Sequence, residues 1–238
     1  MTTKEVQAIA KDAMNAVGDY ARSGMSEKEL AAFAKEYMTN KGIISYWYHE
    51  IPALLFAGER TVLSLPAPEY VPSDYRFKDN DIITVDLSPE LDGVWSDYAR
   101  TIILQDGRAV KRKNIRNDEF GEGLDMEDRL HDFLVESAKP DMTFSELHGK
   151  IDKFLKSSDY ENLDFLNNFG HTIVENFPTG AFFELKNDGR FFFDANCQEK
   201  LTVARYFTFE PHIRKKGGKY GYKREDIYMF ENGRLTAV

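Results

Sequence analysis

The fold of this chain is decided by the stretch Asp81-Ile-Ile-Thr-Val-Asp86-Leu-Ser-Pro-Glu-Leu-Asp-Gly-Val-Trp-Ser-Asp97-Tyr-Ala-Arg-Thr101. The apolar residues on both sides of Asp86 predict a strand, Asp92-Gly93 predicts a turn, and a second strand follows. A carboxylate inside such a strand is costly to bury unless a cation or a donor meets it. Because distant residues face each other across an antiparallel ladder, Asp86 and Asp97 could converge on one point. Taken alone, the pair fits a solvated strand edge and turn equally well.

The composition indicates a soluble globular protein. The 238 residues, with 42% hydrophobic residues and a net charge of −9, suffice for one large domain or two small ones. No basic patch favours nucleic acid, and no apolar run approaches membrane-spanning length. The single Cys197 excludes an intrachain disulfide, and the polar N-terminus does not resemble a signal peptide. We therefore expect a cytoplasmic protein without nucleic-acid or membrane partners.

Helical spacing and capping patterns predict four helices. The first covers residues 4–22, and the third covers residues 117–138. The second opens at the capping box Ser26-Glu-Lys-Glu29, and the fourth opens at Thr143-Phe-Ser-Glu146. Strands are predicted at residues 53–57, 61–65, 206–213 and 220–230, in addition to the hairpin.

The sequence also repeats itself. Gly24-Met-Ser-Glu-Lys-Glu-Leu30 parallels Asp141-Met-Thr-Phe-Ser-Glu-Leu147, and each copy follows a long helix and opens a shorter one. Later in each half comes an apolar strand with a carboxylate, Asp86 in the first half and Glu210 in the second. This shared order predicts two related α+β halves that form one domain over residues 1–238.

Three residues join the aspartate pair as candidate metal ligands: His171, Glu210 and Glu225. Four carboxylates and one imidazole suit Mn, Co, Fe or Zn, and they are enough for two ions bridged by carboxylates. Two such ions can share a hydroxide and polarise a substrate oxygen. Singly, each acidic residue is more often a surface or capping residue than a metal ligand.

Five motifs in order resemble the pita-bread metallopeptidases, the family of methionine aminopeptidase, Xaa-Pro aminopeptidase and creatinase. They are Gly24–Leu30, Asn80–Asp86 with Ser96–Thr101, Phe169-Gly-His171, Phe207-Thr-Phe-Glu210-Pro211, and Arg224-Glu225-Asp226. Each motif is weak alone, but their order agrees with the internal repeat. The resemblance implies an α+β pita-bread fold, in which two pseudo-symmetric halves share a curved antiparallel sheet flanked by helices.

The resemblance also implies a role for each ligand. Asp86 would chelate one metal ion, Asp97 and Glu225 would bridge two ions, and His171 and Glu210 would hold the other. Glu210 would also act as a catalytic proton shuttle. The implied cofactors are two divalent ions, manganese, cobalt, iron or zinc, and the implied activity is that of an Xaa-Pro or related N-terminal exopeptidase. The expected partners are a peptide or small amino-acid-like substrate and, as a candidate assembly, a second copy of the chain.

Two departures from the family pattern affect the substrate rather than the metal. Leu65-Pro-Ala-Pro68 and Pro178-Thr179 stand where family members carry histidines that contact the substrate. His49 and His212 are the candidate catalytic replacements, since His212 should share a strand face with Glu210. The departures leave two alternatives open: a metalloenzyme for a non-peptide small molecule, or a non-catalytic pita-bread module that binds a peptide or protein.

Overall fold

The helices begin and end close to where their capping patterns predict. The computed structural model describes residues 1–174 and 189–238. The helices in these residues are α1 (Thr3–Tyr20), α2 (Glu27–Asn40), α3 (Asp118–Ser137) and α4 (Phe144–Lys156). Ser26 accepts a hydrogen bond from the backbone N–H of Glu29, whose carboxylate accepts one from Ser26 in return. Thr143 and Glu146 form the same box at α4, so the predicted helix starts are confirmed.

The strands pair in an antiparallel manner throughout the described residues. They are β1 (Ser45–Tyr46), β2 (Ala53–Ala57), β3 (Asp81–Leu87), β4 (Pro89–Leu91), β5 (Val94–Trp95), β6 (Tyr98–Gln105), β7 (Arg108–Ala109), β8 (Tyr160–Asn162), β9 (Thr172–Ile173), β10 (Tyr206–Phe209), β11 (His212–Lys215), β12 (Gly221–Lys223), β13 (Asp226–Glu231) and β14 (Arg234–Ala237). The larger sheets run β2-β3-β6-β7 in the first half and β14-β13-β10-β9 in the second. The architecture is the predicted α+β type.

The decisive stretch forms the predicted hairpin, with one refinement. Strands β3 and β6 pair over their length, and Asp86 lies opposite Ala99. Between them, β4 and β5 make a smaller excursion that pairs with β1. Asp97 therefore lies one residue before β6 rather than on the strand, close to the end of β3 that carries Asp86.

Three of the predicted strands are wrong in extent or type. Residues 58–62 form a 3-10 helix, because Gly58 takes a φ of +59° and Thr61 Oγ1 donates to the Gly58 carbonyl. Residues 206–213 divide into β10 and β11 around Pro211, which has no N–H to donate to a ladder. Residues 220–230 divide into β12 and β13, because β12 pairs with β11 whereas β13 pairs with β10.

Each helix pair packs on the sheet of its own half. One apolar cluster joins α1 and α2 to β2, β3 and β6, with Val6, Leu30 and Val85 fully buried. A second joins α3 and α4 to β10, β11 and β12, with Leu130, Leu147 and Phe209 fully buried. The same cluster includes Ile82 of β3 and Ile103 of β6, so it also contacts the sheet of the first half. This arrangement agrees with the two related halves that the internal repeat predicts.

None of the helices within residues 1–174 and 189–238 combines the length and the apolar character that crossing a membrane requires.

Candidate metal centre

The five predicted ligands converge from five places in the chain. Asp86 comes from β3 and Asp97 from the residue before β6, both in the first half. In the second half, His171 precedes β9, Glu210 follows β10, and Glu225 lies between β12 and β13. Their ligand atoms form two groups, Asp97–His171–Glu225 and Asp86–Glu210–Glu225, and within each group the atoms lie within 4.8 Å of one another. Glu225 belongs to both groups, which is the geometry of a bridging carboxylate.

The imidazole of His171 is oriented for binding a metal. The backbone N–H of His171 donates to Thr208 Oγ1, and its carbonyl accepts from the Thr208 N–H, so β10 fixes its position. His171 Nδ1 lies 3.2 Å from the Thr172 carbonyl, which can only accept, so Nδ1 carries the proton. The lone pair of Nε2 then faces Asp97 Oδ2 at 3.6 Å and Glu210 Oε1 at 3.7 Å. Metal-binding histidines commonly have their other ring nitrogen held in this way.

Hydrogen bonds fix the backbone of Glu225, whereas its carboxylate receives none among the described residues. The Glu225 N–H donates to the Ala99 carbonyl at 2.9 Å, and Arg100 Nη1 donates to the Glu225 carbonyl at 2.6 Å. Arg100 Nη2 also binds Asp226 Oδ1, which anchors the next residue. Both carboxylate oxygens of Glu225 are buried and find no hydrogen-bond partner among the described residues. Buried polar atoms are rarely left unsatisfied, so these oxygens fit a cation ligand.

The raised pKa values of the buried carboxylates also favour a cation at this place. Burial raises the pKa of Asp97 well above its usual range, and the charges of Asp86 and Glu210 add to the effect. Burial likewise raises the pKa of Glu225, with Asp97 as the largest charge contribution. Without a cation, this cluster of carboxylates repels itself in a buried place. The residues present therefore fit one or more divalent ions.

A lysine that sequence reasoning missed lies within this cluster. Lys223 Nζ lies 2.6 Å from Asp86 Oδ2 and 3.0 Å from Glu210 Oε2. Burial works to lower the pKa of Lys223, but the charges of Asp86 and Glu210 outweigh it and raise that pKa well above its usual range. Lys223 ends β12 in a segment of several charged residues, where a lysine is ordinarily solvated, so the sequence does not single it out.

A cavity of about 460 Å³ opens over the carboxylates. Its polar floor includes Asp86, Asp97, His171, Glu210 and Lys223. Its walls are mainly apolar and aromatic, and they include Trp47, Tyr48, Phe56, Leu65, Pro66, Ala67, Pro68 and Phe192. Residues 65–68, where the family histidine is missing, thus lie in the cavity wall and offer no polar side chain there. Residues 178–179 and the Phe182-Phe183 pair lie outside the described residues.

The two candidate replacement histidines both line the cavity. His212 Nε2 lies 2.7 Å from the Thr61 carbonyl and so donates its proton there. Burial and the Lys223 charge lower the pKa of His212 to about 4, so this imidazole is neutral. The strand break at Pro211 separates His212 from Glu210, so the shared strand face does not exist. His49 is half-buried with a φ of +52°, beside Tyr48.

Comparison with known proteins finds a family and several relatives. The sequence profile of metallopeptidase family M24 matches residues 2–232. An Xaa-Pro dipeptidase from Pyrococcus furiosus is 30% identical over 240 residues, which cover 96% of this chain and 58% of the relative. The chain thus spans little more than half the length of the curated relative that it matches.

Solved structures show the same fold. An X-Pro aminopeptidase from Thermotoga maritima superposes with a TM-score of 0.76 at 19% identity, over 99% of this chain and 59% of that one. A zinc-substituted aminopeptidase P from E. coli, in complex with product, gives a TM-score of 0.71 at 14% identity, over 99% of this chain and 54% of that one. The predicted pita-bread fold is confirmed by these likenesses.

Proposed function

Because the chain belongs to metallopeptidase family M24, we propose that it is a divalent-metal-dependent hydrolase that cleaves the bond between an N-terminal residue and proline. One observation carries the proposal: Asp86, Asp97, His171 and Glu210 line one cavity, and buried Glu225, which belongs to both ligand groups, has no partner for either carboxylate oxygen among the described residues. The 30% identical relative named Xaa-Pro dipeptidase supports the choice of substrate.

The ligand set indicates which ions the site takes. Asp97, His171 and Glu225 form one group with a nitrogen donor, and Asp86, Glu210 and Glu225 form an all-carboxylate group. Such mixed oxygen and nitrogen donors suit Mn, Co, Fe and Zn, and one ion in each group would match the pair of ions that the sequence predicts. When bound, a divalent ion would supply Lewis-acid chemistry, polarising the substrate carbonyl and making a water molecule easier to deprotonate.

Glu210 is placed to move the protons. Its carboxylate is 18% exposed and borders the cavity, whereas Asp97 is only 4% exposed and Glu225 is fully buried. Glu210 would take a proton from the attacking water as the water oxygen bonds to the carbonyl carbon. It would then give the proton to the proline nitrogen as the C–N bond breaks. Lys223 Nζ lies 3.0 Å from Glu210 Oε2 and holds the Glu210 carboxylate in position.

The cavity fits a short apolar peptide. Trp47, Tyr48 and Phe192 provide flat surfaces, and residues 65–68 provide a rigid apolar wall against which a proline ring can pack. His49 lies in the same wall and is the imidazole that we assign to substrate contact. We assign His212 a supporting role, since its Nε2 proton is already donated to the Thr61 carbonyl.

The test is hydrolysis of defined peptides by the Mn²⁺-loaded 238-residue chain. We expect release of the first residue from Ala-Pro, Met-Pro or Ala-Pro-Pro, and little from Ala-Ala. Glu210→Gln should lower kcat by at least about 100-fold, because general acid–base catalysis contributes about that much. Glu231→Gln, on an exposed strand end, is the matched control and should keep full activity.

Two results would contradict the proposal. Hydrolysis that is unchanged in Glu210→Gln would remove this residue from the reaction. Bound Mn²⁺ without cleavage of any of these peptides would favour the second candidate, a hydrolase for another small amine- or carboxylate-bearing molecule. The observation that favours this candidate is the absence of a donor side chain in the cavity wall at residues 65–68.

A further inference from the structure

The two ligand groups are not equivalent, because Lys223 engages only one of them directly. Its ammonium contacts Asp86 at 2.6 Å and Glu210 at 3.0 Å, and both belong to the all-carboxylate group. The other group, Asp97–His171–Glu225, contains the imidazole with its Nε2 lone pair turned toward the carboxylates. The ammonium thus lies at the oxygens that would hold the second ion.

Hydrogen bonds fix the backbone of Lys223, and its side chain is mostly buried. Its backbone N–H donates to Thr101 Oγ1 at 2.9 Å, and the Thr101 hydroxyl donates back to the Lys223 carbonyl at 3.1 Å. Pairing with His212 across β11 and β12 holds the same residue from the other side. The Lys223 side chain is only 18% exposed. A side chain that leaves this position would carry its charge away from the carboxylates that compensate it.

An ammonium and a divalent ion compete for the same oxygens. Lysine offers three donors and a positive charge, and it cannot be a metal ligand while protonated. At contact distance in a partly buried place, the repulsion between the ammonium and a divalent ion is poorly screened. The ammonium already satisfies Asp86 and Glu210, whereas both oxygens of Glu225 remain without a partner among the described residues.

We infer that Lys223 is a built-in cation that replaces one of two metal ions. The chain then binds a single divalent ion at Asp97, His171 and Glu225, and the ammonium keeps Asp86 and Glu210 together. This inference rests on the proposed metal dependence and replaces the two ions predicted from the sequence. It makes Lys223 a positioning residue that sets metal stoichiometry.

The experiment counts Mn²⁺ ions per chain by elemental analysis after saturation and desalting. We expect one ion in the wild type, two in Lys223→Met, which keeps the length of the stem without its charge, and one in Lys223→Arg. Lys219→Met is the matched control, since Lys219 pairs with Glu59 on the surface, and it should keep one ion. Circular dichroism and thermal melting establish that each variant is folded.

Electron paramagnetic resonance of the Mn²⁺-loaded wild type gives a second reading that needs no variant. Two Mn²⁺ ions about 3.5–4 Å apart couple their spins, so we expect an isolated-ion spectrum in the wild type and a coupled one in Lys223→Met. Two coupled ions in the wild type would overturn the inference and leave the proposed hydrolase standing. Binding of one ion by folded Lys223→Met would also overturn the inference and leave the proposed hydrolase standing. No ion in either protein would overturn both.

Discussion

At the scale of single residues, Glu225 shows how the proposed metal site costs stability. Its carboxylate is fully buried, both oxygens lack partners among the described residues, and burial and the Asp97 charge raise its pKa. Such an arrangement destabilises the metal-free fold, and it is retained where function needs it. By contrast, its backbone N–H and carbonyl are both hydrogen-bonded, to the Ala99 carbonyl and to Arg100.

Glu225→Gln should therefore stabilise the metal-free protein and abolish its response to metal. The amide NH₂ can donate to the neighbouring carboxylates where the carboxylate only repels them, so we expect the free energy of unfolding to rise by about 1 kcal/mol or more. The gain in Tm on adding Mn²⁺ should disappear. Chemical denaturation at pH 7, with and without Mn²⁺, measures both effects.

Glu127 supplies a matched control for this substitution. It is also a buried carboxylate with both oxygens unpartnered among the described residues, but it lies on α3 and belongs to neither ligand group. Glu127→Gln should keep the Mn²⁺-induced rise in Tm. A Glu225→Gln protein that still gains stability from Mn²⁺ would contradict the role of Glu225 as a ligand.

The sequence singles out the carboxylates and the imidazole that converge here, but not the cation among them. Asp86 and Asp97 stand out because carboxylates are unusual in apolar strands, and His171 follows a conspicuous glycine. Lys223 does not stand out, because a lysine in a charged segment is ordinarily solvated. Only the convergence of β3, β10 and β12 places it between two carboxylates.

At the scale of elements, the helices were predictable and several strand ends were not. The starts of α2 and α4 follow from capping boxes, which are local in sequence. The division between β12 and β13 arises because the two strands pair with different partners. Local hydrophobic periodicity does not predict which strands will pair. Glu210 and Glu225 both lie at such breaks, and Glu210 lines the cavity.

Gly170 shows how one element positions the metal centre. Its φ is +142°, and a Cβ there would lie 2.3 Å from the Thr208 carbonyl oxygen. Gly170→Ala should push His171 and β10 apart. We expect a loss of about 2 kcal/mol or more in the free energy of unfolding, and a Mn²⁺ affinity lowered at least about tenfold. Denaturation and calorimetric titration measure the two quantities.

Gly149→Ala is the control for this substitution. Gly149 is exposed in α4, and a Cβ there meets nothing within 4 Å. The change should stabilise the protein by about 0.5–1 kcal/mol, because alanine favours the helix, and leave Mn²⁺ affinity unchanged. If Gly170→Ala binds Mn²⁺ as tightly as Gly149→Ala, the close approach of residue 170 to Thr208 does not position His171.

At the scale of the whole molecule, the proposed ligands come from both halves of the fold. Asp86 and Asp97 belong to the half built on α1 and α2, and His171, Glu210 and Glu225 belong to the half built on α3 and α4. An ion held by both halves binds only when both are folded. The free energy of ion binding then stabilises the whole fold rather than one half.

Mn²⁺ should therefore slow amide hydrogen exchange in both halves equally. At an ion concentration 100 times Kd, the opening free energies of buried amides such as Val85 in β3 and Phe207 in β10 should each rise by about 2.7 kcal/mol. Asp97→Ala should abolish the effect in both halves, and Asp74→Asn, at an exposed surface pair, should keep it. Protection that rises in β10 alone would mean that the second half holds the ion by itself. Ligands from the first half would then contribute nothing to the cooperativity of the fold.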